Sequence, residues 1–329
     1  MAGEFNLIEK FFEHKQANRS DVDMALGDDC ALVSPPEGHQ IAISTDTVVC
    51  GTHFLPDADP AAVAYKALMS NISDLAAMGA TPAWFSMALT LPEMNEQWLA
   101  PFCDSMFKLA DVHNLQLIGG DTTKGPLSIS FTIQGIVPKG KALTRKSAKV
   151  GDLVYVSGHL GDSHAGLSVI LNPQNANKPH ADALIQRHFY AESRIQLAEQ
   201  LRDLATSCID ISDGLISDLR HVLKQSQVSA VLDIEKLPLS QECIDFYQDI
   251  QQAQNTALIS GEEYELCFTA HPENQGKLAE LAEKQNCPLT CIGQIVESQT
   301  GNQIKLMRNN QPLSDNDPAN QLHGFDHFS

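Results

Sequence analysis

The stretch Ile41–Thr47, IAISTDT, constrains this chain more than any other. Ile41, Ala42 and Ile43 suit a buried strand, and Ser44, Thr45 and Asp46 stand where that strand emerges. A carboxylate leaving a core needs a partner, because burying an isolated charge is costly. The design recurs at four other places: GDDC at Gly27–Cys30, NISD at Asn71–Asp74, GGDTT at Gly119–Thr123 and DISDG at Asp210–Gly214. No matching set of lysines or arginines in an apolar setting accompanies these clusters. One shared partner is expected, a divalent cation with its phosphates.

The charge balance supports that reading. A formal net charge of −19 argues against a nucleic-acid or anionic-membrane surface, which calls for clustered Lys and Arg. An anionic substrate then needs cations from elsewhere, and metal ions supply them. With 43% hydrophobic and 19% charged residues the composition is that of an ordinary soluble protein, and 329 residues suffice for two domains. The segment MAGEFNLIEKFFEHK lacks a basic-then-apolar leader pattern. No run approaches the ~18 apolar residues of a membrane span, so a cytoplasmic protein with no membrane partner is expected. The eight cysteines have no framework spacing. Cys287 and Cys291, without a second pair, make a poor zinc signal, and reduced structural thiols are expected.

In chain order, residues 4–15 have helical spacing with one apolar face. Ala31–Val33, the turn Pro35–Gly38 and the IAISTDT strand read as a hairpin with acids at one end. Residues 60–79 read as a helix capped by Asp59, begun by Pro60 and ended by Gly79, with Asn71 and Asp74 on one side near an alanine-rich stripe. Residues 83–91 read as a strand, 96–113 as a helix, 115–118 as a strand ending in GGDTT and 127–137 as a strand. In GGDTT the glycines let main-chain N–H groups approach an anion and Asp121 can hold a metal on it. Residues 135–141 match the spacing of a phosphate-binding P-loop, but Ala142 stands where Ser or Thr is needed and Pro138 interrupts it; a turn and linker is expected.

In the second half, residues 152–157 read as a strand running into the glycine-rich 158–166, a weak anion-site signal. Residues 190–205 read as a helix, DISDG as its link to a helix at 215–225, and 228–234 as a strand. Two strand-like runs flank Ser260–Glu263 within 257–269, and a late strand covers 291–296. Capping explains one of Asp210 and Asp213 but not two acids, a serine and a glycine together.

GEFNLI, GDDCALV, ISTDT, GTHFLPD, NISDLAAMGATP, LIGGDTTKGPLSIS, ALTRKSAKVGD, DISDGLISDL, GEEYELCF and GFDHF, in that order, resemble the thiamine-monophosphate kinase family. That family lies within the ATP-binding superfamily of aminoimidazole ribonucleotide synthetase and selenophosphate synthetase. The resemblance runs nearly end to end. It implies an α+β / α/β two-domain chain: a Mg-ATP-binding and dimerisation domain over 1–140, and an α/β domain over 141–329 completing the active site. It implies ATP as phosphoryl donor, thiamine monophosphate as acceptor, several Mg²⁺ ions and a homodimer. By motif, Asp29, Ser44, Thr45, Asp46, Asp74, Asp121, Asp210 and Asp213 resemble metal ligands, and Gly120, Asp121, Arg145 and Ser212 resemble nucleotide contacts. His53, Glu262 and Phe325 resemble acceptor contacts, Phe325 standing where relatives carry Trp or Tyr and Thr52 where they often carry Asn. The alternatives are another ATP-using enzyme of the superfamily and a non-catalytic nucleotide sensor. Selenophosphate synthesis asks for a reactive Cys in a glycine-rich N-terminal segment. The hydrogenase-maturation relative asks for a C-terminal Cys where this chain reads His-Phe-Ser.

Overall fold

The computed structural model describes residues 11–12, 18–298, 301–314, 317–322 and 324–325. Most of the helix expected over 4–15 lies outside them, as do Asp326, His327 and Phe328 of the terminal motif; Phe11 and Phe12 are described and buried. The chain divides into two compact units, Met1–Leu75 with Ala80–Lys141, and Ala76–Gly79 with Ala142–Ser329.

The first unit holds β1 (Val22–Met24), β2 (Leu32–Val33), β3 (His39–Val49), α1 (Pro60–Ala77), β4 (Thr81–Leu91), α2 (Glu96–Val112), β5 (Gln116–Lys124) and β6 (Ser128–Pro138). Strands β3-β6-β4-β5 form a four-stranded sheet in that order. Three sequence expectations change here. The hairpin forms between β1 and β2, while β3 pairs with β6 over its whole length, from His39↔Pro138 to Val49↔Ser128. An eleven-residue strand needs an eleven-residue partner, which the two-residue β2 cannot be. Ile41 and Ile43 are not buried but 40% and 66% exposed. β3 is an edge strand, and side-chain alternation turns these two away from α1. Finally, GGDTT lies inside β5 rather than beyond it. Gly120 is required there because a Cβ would stand 2.1 Å from the Met87 carbonyl oxygen.

Helix α1 forms as its signals indicate. The Asp59 carboxylate accepts the Ala61 N–H at 3.1 Å, Pro60 opens the first turn, where its missing N–H costs nothing, and Gly79 closes the helix at φ +62°. Leu68, Ile72 and Leu75 are buried on its inner face. Small side chains bring the helix down on the sheet, so a Cβ on Gly135 would stand 2.9 Å from the Leu75 methyls. The Ser105 hydroxyl ties α2 to α1 through the Ala61 carbonyl at 2.7 Å.

The second unit holds β7 (Leu153–Ser157), α3 (Asp162–Leu171), α4 (Ala181–Phe189), α5 (Ile195–Leu201), β8 (Ala205–Asp210), α6 (Leu215–Ser226) and β9 (Ser229–Asp233). They are followed by α7 (Gln241–Tyr247), α8 (Ile250–Ile259), β10 (Leu266–Ala270), α9 (Gln275–Gln285), β11 (Leu289–Val296), β12 (Ile304–Arg308) and β13 (Gln311–Pro312). Among the described residues its sheet has the order β13-β12-β9-β11-β7-β10-β8. The core gathers Val154, Val156, Ile209, Leu219, Leu232 and Ile292. The long helix expected at 190–205 is the short α5, followed by β8. ATSCID, mostly small and polar, gives β8 no apolar alternation to read. The strand expected to begin at Ala257 is instead the last turn of α8. All eight cysteines are thiols, and among the described residues no helix is long and apolar enough to cross a membrane.

Candidate active site

In the first unit the acids fall into two groups. On the α1 side of β3, Ser44 donates its hydroxyl to the Asp74 carboxylate. Asp46, two residues along the same face, lies beside Ser70, one turn before Asp74. Burial pushes the Asp46 carboxyl above its usual range, and the Ser70 hydroxyl and the charge of His53 only partly oppose this. The Val49 N–H donates to His53 Nδ1 at 3.0 Å. That bond leaves Nε2 as the ring nitrogen that carries a proton. Thr45 points to the other face of the sheet, where its hydroxyl meets that of Thr132 at 2.9 Å.

The second group borders a cleft of about 560 Å³ at the opposite edge, lined by Asp29, Met87, Leu117, Gly120, Asp121 and Thr122 among others. That volume suits a small-molecule ligand. Register fixes the separation of the groups: Asp46 pairs with Phe131, Phe131 with Met87 and Met87 with Gly120. Three strand spacings, about 14 Å, therefore lie between Asp46 and the β5 edge. By the same register Asp121, level with Ala88 and Ser130, shares the open face with Thr45.

In the second unit Asp210 ends β8 and is buried, so the helix N-terminus expected for it belongs to the residues that follow. The turn after Asp210 carries Ser212 and Asp213 and leads through Gly214, at φ +114°, into α6. Asp218 accepts three main-chain N–H groups of this turn. Burial first, then the charge of Asp210, pushes its carboxyl up to about 8. Arg145 lies near the end of β8: the adjacent Thr144 carbonyl accepts the Cys208 N–H at 3.1 Å, and the Arg145 charge is felt at Cys208. The Glu262 N–H donates to Ser212 O at 2.7 Å and the Phe325 N–H to Asp213 O at 3.0 Å. Glu262, Phe325 and the acid-bearing turn therefore share one main-chain frame. Glu262 reaches to 3.9 Å from His188, and the Phe325 ring is 53% exposed.

The glycine-rich turn 158–166, a weak anion signal in sequence, is filled by a carboxyl of the protein's own. Glu263 accepts N–H groups of Gly161 at 2.8 Å and Ser163 at 3.2 Å, and burial pushes its carboxyl up to about 8. Asp218 and Glu263 are the residues that sequence reading passed over. The first has a signal, an acid reaching back from the first turn of a helix. The second is masked by its neighbour Glu262.

The donors fit Mg²⁺. They are oxygens throughout, as hard cations prefer. Asp46 is half-buried, and the desolvation of its carboxyl is incompletely offset. Asn71 Oδ1, one turn from Asp74, is buried without a hydrogen-bond partner. Among the described residues no three His, Cys, Asp or Glu converge to hold a metal alone. Mg²⁺ takes one or two carboxylates and fills its shell with phosphate and water oxygens.

The model for the N-terminal domain of AIR synthase related proteins matches residues 27–137, and that for the C-terminal domain matches residues 149–304. Thiamine-monophosphate kinase of Escherichia coli (strain K12) is 49% identical over 99% of this chain and 98% of its own. The crystal structure of thiamine-monophosphate kinase from Stenotrophomonas maltophilia K279a superposes with a TM-score of 0.85 at 38% identity, covering 94% of this chain and 98% of that one. AaThiL complexed with AMPPCP and TMP superposes with a TM-score of 0.77 at 30% identity, covering 99% of this chain and 97% of that one.

Proposed function

This chain belongs to the thiamine-monophosphate kinase family, and we propose that it transfers the γ-phosphoryl group of ATP in line to the phosphate of thiamine monophosphate. The product is thiamine diphosphate, and the reaction is the last step of its biosynthesis. The observation that carries this reading is the end-to-end match, whose family-model stretches contain Asp29 to Asp121 and Asp210 to Glu262.

The acceptor phosphate is ionised at neutral pH, so no residue need act as general base. Two polyanions must instead be brought together and their charge compensated, which is positioning and electrostatics. Asp29, Ser44, Thr45, Asp46, Asp74, Asp121, Asp210 and Asp213 would hold several Mg²⁺ ions. These supply the compensation for charge on the transferred group. Gly120 and Asp121, beside the β5 cleft, with Arg145 and Ser212, contact the nucleotide. His53 donates from Nε2 to the acceptor phosphate, Glu262 orients the acceptor, and Phe325 stacks on its rings.

Residues 1–140 act as the Mg-ATP-binding and dimerisation domain, and residues 141–329 as the α/β domain supplying the acceptor contacts. A second copy covers the open face of the first sheet; the exposed Ile41 and Ile43 support this, since apolar side chains on an edge strand ask for a cover. Thiols throughout and strong negative charge support a cytoplasmic setting.

Phosphorus NMR of the protein with ATP, Mg²⁺ and thiamine monophosphate, beside a tube with thiamine instead, tests the reading. Diphosphate resonances growing with ADP in the first tube alone are expected. Product in the thiamine tube would show the acceptor to be wrong, and bound ATP with no product in either tube would leave a sensor.

A further inference from the structure

The main chain of the turn Ile211–Gly214 is held from both sides. Its carbonyls at Ile211, Ser212 and Asp213 accept the N–H groups of Tyr264, Glu262 and Phe325 at 3.0, 2.7 and 3.0 Å. Its N–H groups at Ser212, Asp213 and Gly214 converge on one atom, Asp218 Oδ2, at 3.0, 3.0 and 3.1 Å. Asp218 is 3% exposed. Successive N–H groups aimed at one point form an anion nest, and the N-terminus of α6 adds positive potential to it. A phosphate would fit such a place, but a side chain of this chain fills it. The start of α3 repeats the device with Glu263.

We propose that Asp218 is the positioning residue of the metal-binding turn. It fills the nest, fixes three consecutive peptide planes, and thereby presents the Asp210 and Asp213 side chains to Mg²⁺. With the nest occupied, a phosphate reaches this turn through metal and not through main-chain N–H groups. Ordinary capping accounts for one such bond; three to one buried oxygen hold the direction of the whole turn. The inference rests on the kinase reading above.

Its test is calorimetric titration of a non-hydrolysable ATP analogue across a Mg²⁺ series and in EDTA, for wild type, Asp218→Asn and Asp218→Ala. Inorganic phosphate in EDTA is the second probe, and thermal melting verifies folding. Both variants remove the titrating carboxyl, and Asn keeps an acceptor oxygen that Ala lacks, so the step from Asn to Ala isolates the hydrogen bonds. Outer-shell partners of a metal are worth about 10- to 100-fold in affinity. Asn, which keeps an acceptor oxygen, is expected to raise half-saturating Mg²⁺ toward the lower bound and Ala toward the upper. Asp218→Ala is also expected to bind phosphate in EDTA where wild type does not. A residue that only stabilises the fold would lower the melting temperature and leave the Mg²⁺ midpoint of the folded protein alone.

Folded Asp218→Asn and Asp218→Ala with midpoints within about twofold of wild type, well under that range, would overturn the proposal. If Asp218→Ala does not fold, Asp218→Asn decides: a raised midpoint supports the role and an unchanged one removes it. Wild type failing to bind the analogue in a Mg²⁺-dependent way would remove the kinase reading itself, which is a different failure.

Discussion

The acid-bearing loop Gly27–Cys30 and the acid-bearing turn Ile211–Gly214 carry similar residues in opposite mechanical settings. The first is exposed along its length, and the Asp29 N–H is bonded to the carboxylate of its own neighbour, Asp28, at 2.8 Å. The second is clamped from both sides: three of its N–H groups bond to Asp218, and three of its carbonyls accept N–H groups from later segments. An exposed loop beside a 560 Å³ cleft can adjust to a nucleotide at little cost, whereas a clamped turn offers ligands already in place. Charge does not divide the same way: desolvation raises the half-buried Asp46 of the first unit and also Asp218 and Glu263 of the second, where Glu265 is paired with Arg194 and Asp162 with Arg187. From the mechanical contrast, acids of the first unit are expected to affect function more than stability, and the frame of the second unit to affect both.

The largest expected effect breaks or upholds that division. Asp46→Ala and Asp121→Ala are each expected to lower turnover by about a thousandfold or more at saturating Mg²⁺, with the fold intact. Asp46 sharpens the test. Because burial raises its carboxyl, the charged form works against folding at neutral pH, so Asp46→Ala should melt at the wild-type temperature or above. Substantial residual activity, or a large loss of melting temperature, would end the division.

Next in size is Gly324→Ala, aimed at the clamp. A Cβ there would stand 2.2 Å from the Asp213 carbonyl oxygen and 2.7 Å from Ser217 Cβ, where the adjacent Phe325 N–H is bonded. The substitution should lift Phe325 from the turn and raise KM for thiamine monophosphate about tenfold, the equivalent of ~1.4 kcal/mol, with KM for ATP unchanged. Steady-state kinetics in both substrates checks this. Equal rises in both constants would mean that the clamp governs the turn as a whole and not the acceptor contact.

How far the sequence is legible follows the same contrast. Asp59, Pro60 and Gly79 announced α1 because local chemistry alone fixes a helix end, and the acid clusters announced themselves by standing at the ends of apolar runs. What a residue meets across the fold was not legible. Ile41 and Ile43 look like core residues until β3 proves to be an edge strand, and β8 is hidden because its neighbours, not its own pattern, make it a strand. Thr45 and Asp46 are adjacent in sequence yet turned to opposite faces, which alternation dictates once β3 is known to be extended at that point. The partners of Asp218 and Glu263 are main-chain N–H groups, and a sequence shows no main-chain direction.

The smallest expected effect concerns Glu263, a half-buried acid whose carboxyl is turned inward onto main-chain N–H groups. Its folded pKa of about 8 lies above the ordinary glutamate value of 4.5, so between those values the folded state holds a proton that the unfolded state has released. Stability from this group is fully present below about pH 4.5, falls as pH rises, and is lost once pH passes about 8. Glutamine at 263 retains a carbonyl oxygen for the Gly161 and Ser163 N–H groups but does not titrate. The melting temperature of Glu263→Gln minus that of wild type should therefore grow by a few degrees from pH 5 to pH 8, as wild type alone pays to ionise a buried carboxyl. Thermal melts across that window measure it. A difference that stays constant would mean Glu263 is ionised throughout, with the N–H groups at the start of α3 stabilising its charge fully. The clamped region would then hold its acids as carboxylates, and the contrast with Asp46 would lie in compensation by the main chain rather than in protonation.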